Sequence, residues 1–368
     1  MSQDTSYHNK HLPWLDLIRF LSAFTILAAH YRAASFVEYG LLPAENQNYF
    51  TQLFYLLTRG GGGVLIFFVL SGFFIMGRGI EKCKAHSFSL RKYAVDRFAR
   101  IMLPLSSALL LLVIVNYVCG FQFSWINIIL NLFSLQGVLC EPAVGPLWSL
   151  SYEVWFYILF GATAQIITNS TNEIKTANPS LGVIYCVAVV CVSFIVFTKL
   201  SSYYLFMWIM GGLTYIIPMR KSTWILTFSL IGLVSSQLLM ELVKNSRSIP
   251  FAIDIPMPVV ELIFALFCCM FIKQVCQFTP KGKSAVVVNR IGTYLANFSY
   301  TLYLTHMVVL KLMINYGMPK SNVINAESII LYALEIVTAL VVAYLIYLMF
   351  ERHTRQLKNF ILAHTQRK

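Results

Sequence analysis

The apolar residues of this chain gather into runs of roughly 20, the length that carries an α-helix across a bilayer. Ten such runs stand out: Trp14–Phe36, Gly61–Ile80, Ile101–Cys119, Leu147–Ile167, Leu181–Thr198, Tyr203–Pro218, Trp224–Val243, Pro258–Val275, Tyr294–Asn315 and Ser328–Phe350. Inside lipid, backbone groups must find partners within the protein, and runs this long do so as helices. The expected fold is therefore an all-α integral membrane bundle of about ten transmembrane helices. It forms a single domain over residues 1–368, with a short N-terminal segment 1–13 and a basic tail 351–368. Composition agrees: 58% of the residues are hydrophobic and 12% charged, against about 25% charged in soluble chains. The first run is too long for a cleavable signal and contains Arg19 and His30, so it is expected to stay in the membrane. A weaker stretch, Trp125–Leu139, reads as a surface or re-entrant piece.

The net charge of +13 is better explained by orientation than by a nucleic-acid partner, because Lys and Arg cluster in short loops. With ten spans and the N-terminus inside, 20 of the 28 basic residues fall in inner segments. They are Lys10, Arg78 to Arg100, Lys175, Arg220, Lys221, Lys273 to Arg290 and the tail from Arg352. Six fall outside (Arg32, Arg59, Lys199, Lys244, Arg247, Lys320), while Arg19 and Lys311 lie within spans. Both ends are thus expected in the cytoplasm. The eight cysteines lack metal-site spacing, and no metal is expected. Cys119 and Cys140 flank one predicted outer loop and could pair, which spacing alone does not decide.

Ionisable residues inside a span are costly and call for an explanation. Arg19 and His30 share the first run, eleven residues apart, and so lie on one helical face roughly 16 Å apart along the axis. Arg19 could simply snorkel and His30 bond a neighbour, but the pair together favours function. Arg97 and Arg100, three apart, could grip a phosphate with two guanidinium forks, or could serve topology. Ser149, Ser151, Tyr152 and Glu153 gather at the mouth of the fourth run. The ninth run holds a second intramembrane histidine, His306, a residue that elsewhere often only bonds between helices. Glu351-Arg352 closes the last run, where a structural ion pair is expected.

In this order the motifs resemble the acyltransferase-3 family of bacterial membrane O-acyltransferases over nearly the whole chain. They are Leu15-Asp-Leu-Ile-Arg19 with His30, Phe67-Phe-Val-Leu-Ser-Gly-Phe73, and Arg97 with Arg100. Leu147-Trp-Ser-Leu-Ser-Tyr-Glu153, Ser299-Tyr-Thr-Leu-Tyr-Leu-Thr-His306 and Phe350-Glu-Arg352 follow. Each is weak alone; their joint order is specific. The chain departs from the common pattern at Val154, where many relatives carry a second acid, and at His353, where Pro often follows Glu-Arg. The resemblance implies an inner-membrane enzyme that takes an acyl group, usually acetyl, from cytoplasmic acyl-CoA and delivers it to a hydroxyl of a surface or exported glycan. No fused SGNH-type domain and no permanently bound cofactor are expected; acyl-CoA is the donor substrate.

On that reading His30 is the general base and Glu153 orients His30 or the acceptor. Arg97 and Arg100, with Arg19, hold the donor phosphates. Trp148, Ser151, Tyr152 and His306 are candidate substrate contacts. A neutral imidazole can take a hydroxyl proton near neutral pH, and no GxSxG nucleophile elbow is present. Three other readings stand beside it: a polytopic exporter of a glycan or small solute, a non-catalytic scaffold, and a different acyltransferase with His306 as base.

Overall fold

The computed structural model describes residues 11–172, 181–244 and 255–364. Lys10, Lys175, Arg247, Arg367 and Lys368 of the charge census lie outside them. Described residues form helices α1 (Pro13–Ser35), α2 (Tyr49–Leu57), α3 (Gly63–Gly72), α4 (Arg78–Lys84), α5 (Leu90–Val118), α6 (Trp125–Leu132), α7 (Trp148–Asn172) and α8 (Leu181–Lys199). They continue as α9 (Tyr203–Ile216), α10 (Thr223–Lys244), α11 (Met257–Val275), α12 (Lys283–Ala296), α13 (Ser299–Asn315), α14 (Ala326–Met349) and α15 (Thr354–His364). A five-residue π-helical segment, Phe73–Gly77, joins α3 to α4.

Every predicted run falls on a helix, but among the described residues seven helical stretches are long and apolar enough to cross a membrane. The expected ten is not reached for reasons of length and polarity. Helix α9 has 14 residues and α13 has 17, rising about 21 and 26 Å against a hydrocarbon core of about 30 Å. Helix α1 is long enough but carries Asp16, Arg19, His30 and Arg32. The Trp125–Leu139 stretch holds only the eight-residue α6, about 12 Å long, which cannot span. Cys119 and Cys140 are free thiols. Burial and the neighbouring Glu141 push the Cys140 thiol up, which disfavours the thiolate that exchange requires.

Large apolar side chains point outward along the spans: Phe194 and Ile195 on α8, Ile231 and Val234 on α10, Val341 and Leu345 on α14. Water would not tolerate such faces and lipid does, so this is a membrane protein. The short helices follow the same logic. Helix α2 exposes Tyr49, Phe50, Leu53 and Leu57 while burying Thr51 and Tyr55. Helix α6 exposes Trp125, Ile126 and Ile129 while burying Asn131. Their outward apolar faces suit helices lying at a membrane interface.

Contacts divide the chain into two compact units, each discontinuous in sequence: Met1–Arg19, Val64–Arg97 and Ser149–Thr293 form one; Phe20–Gly63, Phe98–Trp148 and Tyr294–Lys368 form the other. In the first, Leu65, Val69, Phe73, Met207, Tyr215, Val260, Phe264 and Cys268 share one apolar core. Glycines let α3 and α9 cross backbone to backbone. A Cβ added at Gly72 would fall 1.8 Å from the Trp208 carbonyl oxygen, and one at Gly211 would fall 2.1 Å from that of Val69.

In the second unit, tyrosines pin the helices. Tyr31 donates to the His306 carbonyl at 3.0 Å, Tyr332 to the Ala28 carbonyl at 2.8 Å and Tyr303 to the Pro146 carbonyl at 2.9 Å. The described partner of Glu351 is Thr301: its carboxylate accepts from the backbone N–H of Thr301 at 3.2 Å and from the Thr301 hydroxyl. A carboxylate there satisfies an orphan donor and complements the dipole at the N-terminus of α13.

Candidate active site

In the second unit α1 and α13 bring two histidines together. His30 Nδ1 lies 2.9 Å from His306 Nε2, and the rings are nearly parallel with centroids 5.2 Å apart. His306 Nδ1 lies 2.7 Å from the Tyr303 carbonyl and 3.2 Å from that of Leu302. A carbonyl oxygen can only accept, so His306 Nδ1 carries the hydrogen. With both rings neutral, His306 Nε2 then holds a lone pair and accepts from His30 Nδ1–H. This assignment, drawn from the network, leaves Nε2 of His30 with its lone pair, the form a general base requires. His306 is 1% exposed, while His30 is half-buried. Tyr31 holds the backbone of His306 in place from the residue next to His30.

One turn further along α1, the Ser35 hydroxyl lies 2.7 Å from the Tyr31 carbonyl and 2.6 Å from Glu335 Oε2 of α14. Lys311 Nζ donates to Asn116 Oδ1 at 2.8 Å and lies 4.3 Å from the centre of the Phe121 ring. The sequence reading passed over Glu335, although an ionisable residue inside an apolar run is the signal that singled out His30.

The first unit holds the other expected residues. Glu153 accepts from Tyr157, one turn on along α7. The Tyr157 hydroxyl lies 3.1 Å from the Ser71 hydroxyl, which accepts from Trp208 Nε1 at 3.1 Å. Arg97 pairs with Asp96 and stands 5.7 Å from the centre of the Tyr157 ring. Ser71 of the Phe67–Phe73 motif, Glu153 and Arg97 thus share one polar cluster. Ser151 is wholly buried, and the Tyr152 hydroxyl accepts from the Ser201 N–H at 2.9 Å. Arg100 is exposed and, like Trp148, belongs to the second unit. Arg19 lies 3.7 Å from Asp16 and stacks on Phe74. The structure therefore joins His30 to His306 and Glu153 to Tyr157; the described hydrogen-bond partner of His30 is a histidine. Among the described residues no cluster of three or more His, Cys, Asp or Glu could hold a metal ion.

A family model described as an acyltransferase domain, that of the acyltransferase-3 family, matches residues 12–348. The chain is also similar to Acyltransferase MdmB of Streptomyces mycarofaciens, 26% identical over 154 residues. That match covers 40% of this chain and 38% of the relative's length. No solved structure matches.

Proposed function

Because the chain belongs to the acyltransferase-3 family of membrane acyltransferases, we propose that it moves an acyl group, in the first instance acetyl, from cytoplasmic acyl-CoA to a hydroxyl of a surface or exported glycan. The observation that carries the reading is the His30–His306 pair, a base with a defined tautomer on two facing helices inside the matched region. In this reading His30 Nε2 takes the proton of the acceptor hydroxyl. The oxygen attacks the thioester carbonyl carbon, the carbon–sulfur bond breaks, and the departing coenzyme A thiolate takes the proton from His30. Glu153, Ser151, Tyr152 and Trp148 contact or orient the acceptor. Arg19 and Arg100 hold donor phosphates, with Arg97 contributing less because Asp96 already engages it. The enzyme sits in a bacterial inner membrane with both ends in the cytoplasm, where the positive-inside bias directs them.

The test is label transfer from acetyl-CoA to a glycan acceptor in proteoliposomes. His30→Ala and His30→Gln are both expected to lose about 10²- to 10⁴-fold in rate while remaining folded, because Gln keeps hydrogen bonding but takes no proton at neutral pH. Full transfer by His30→Gln would overturn the assignment. Solute movement without thioester cleavage in the wild type would favour an exporter instead.

A further inference from the structure

Arg78 stands in the first unit just after the π-helical segment, and no chemical role has been given to it above. Its guanidinium carbon lies 5.0 Å from the centre of the Phe74 ring, and that of Arg19 lies 5.4 Å from the same centre. Two permanent cations therefore meet on one aromatic side chain. The carboxylate beside them is Asp16, 3.7 Å from Arg19, beyond hydrogen-bond reach. Asp16 also takes His11 at 2.7 Å and Thr293 at 3.2 Å.

Two independent observations mark Arg78 as waiting for an acceptor. Its Nε is buried and has no hydrogen-bond partner among the described residues, a costly state for a donor in a membrane protein. The backbone that presents it is also irregular. Phe74 and Arg78 lie in and just beyond the π-helical Phe73–Gly77; such insertions are rare and frequently sit at functional sites.

The geometry points to Arg78 and Arg19, braced on Phe74, as a phosphate-binding pair that takes the phosphate groups of the nucleotide thioester donor. This rests on the acyl-CoA reading and deepens it. The guanidinium fork matches phosphate oxygens bidentately, and Arg78 supplies an Nε donor that lacks a partner among the described residues. Arg78 also belongs to the basic segment assigned to the cytoplasmic side, where the donor arrives.

The test compares acetyl-CoA with S-acetylpantetheine, a thioester that has the same reactive end and no phosphate. In Arg78→Ala the preference for acetyl-CoA over S-acetylpantetheine, as a ratio of kcat/KM values, is expected to fall about 10- to 100-fold. Arg78→Lys restores part of it, since charge returns without the fork. Lys358→Ala, on the tail helix, serves as the control and keeps the wild-type ratio. An unchanged ratio in Arg78→Ala overturns the inference while leaving the enzyme reading intact. An equal loss with both donors that tracks the anionic-lipid content of the proteoliposomes also overturns it, because Arg78 then binds a lipid headgroup. A wild-type protein that transfers nothing from acetyl-CoA overturns both readings.

Discussion

Within the histidine pair, one hydrogen decides which nitrogen can work. His306 is fixed at Nδ1 by the Tyr303 carbonyl, and through Nε2 it fixes His30 in turn. His306→Phe keeps a ring of similar size stacked on His30 but offers no acceptor. Its turnover is expected to drop about 10- to 100-fold through mispositioning of the base, while its melting temperature stays near the wild type. His306→Gln is expected to recover part of the loss, since its amide oxygen can accept from His30 Nδ1–H. Nitrogen NMR of the imidazoles provides a readout independent of activity: Nε2 of His30 is unprotonated in the wild type and mixed in His306→Phe. His30 and His306 were legible in the sequence because ionisable residues stand out in apolar runs. Their partnership was not, since nothing in the spacing of residues 276 apart says that two helices face each other. Arg78 was hidden for a different reason. It falls at the end of the second apolar run, where its charge was counted toward orientation, and its place beside Phe74 leaves no mark in composition.

Among the helices, hydropathy located the runs and misjudged their ends. The third run was expected to begin at Ile101, yet α5 begins at Leu90. Its first two turns carry Arg91, Lys92, Asp96 and Arg97, residues that hydropathy rejects and a helix accepts. The ninth run was expected to begin at Tyr294. Instead α12 ends at Ala296 and α13 starts at Ser299, with Glu351 supplying the cap from a distant part of the chain. Gly72 in the Phe67–Phe73 motif illustrates what a motif can hide. Its meaning is the approach of α3 to α9, visible only once the Trp208 carbonyl is in place. Gly72→Ala should therefore destabilise the protein by about 1–3 kcal/mol or more through overpacking. Gly40→Ala, where a Cβ meets nothing within 4 Å, should stay within about 0.5 kcal/mol. Thermal melting in detergent compares the two; equal melting temperatures would mean that α3 and α9 do not cross as described.

At the scale of the molecule the membrane class was legible and the number of crossings was not, because α1, α9 and α13 fail on polarity or length rather than on helicity. Reporter fusions after Lys84, after Arg220 and at the C-terminus should report cytoplasm, and a fusion at Glu45 should report the outside. A C-terminus outside would remove the even number of crossings. The interleaving of the two units carries a consequence for how the enzyme is made. His30 belongs to the opening helix and His306 to a late one, in a unit whose sequence comes from both ends of the chain. At ribosomal rates of about 5–20 residues per second, His306 is synthesised roughly 14 to 55 seconds after His30. A nascent chain already threaded into the membrane lacks the His30–His306 contact throughout that interval. A truncated product of a broken message never forms the contact between His30 and His306.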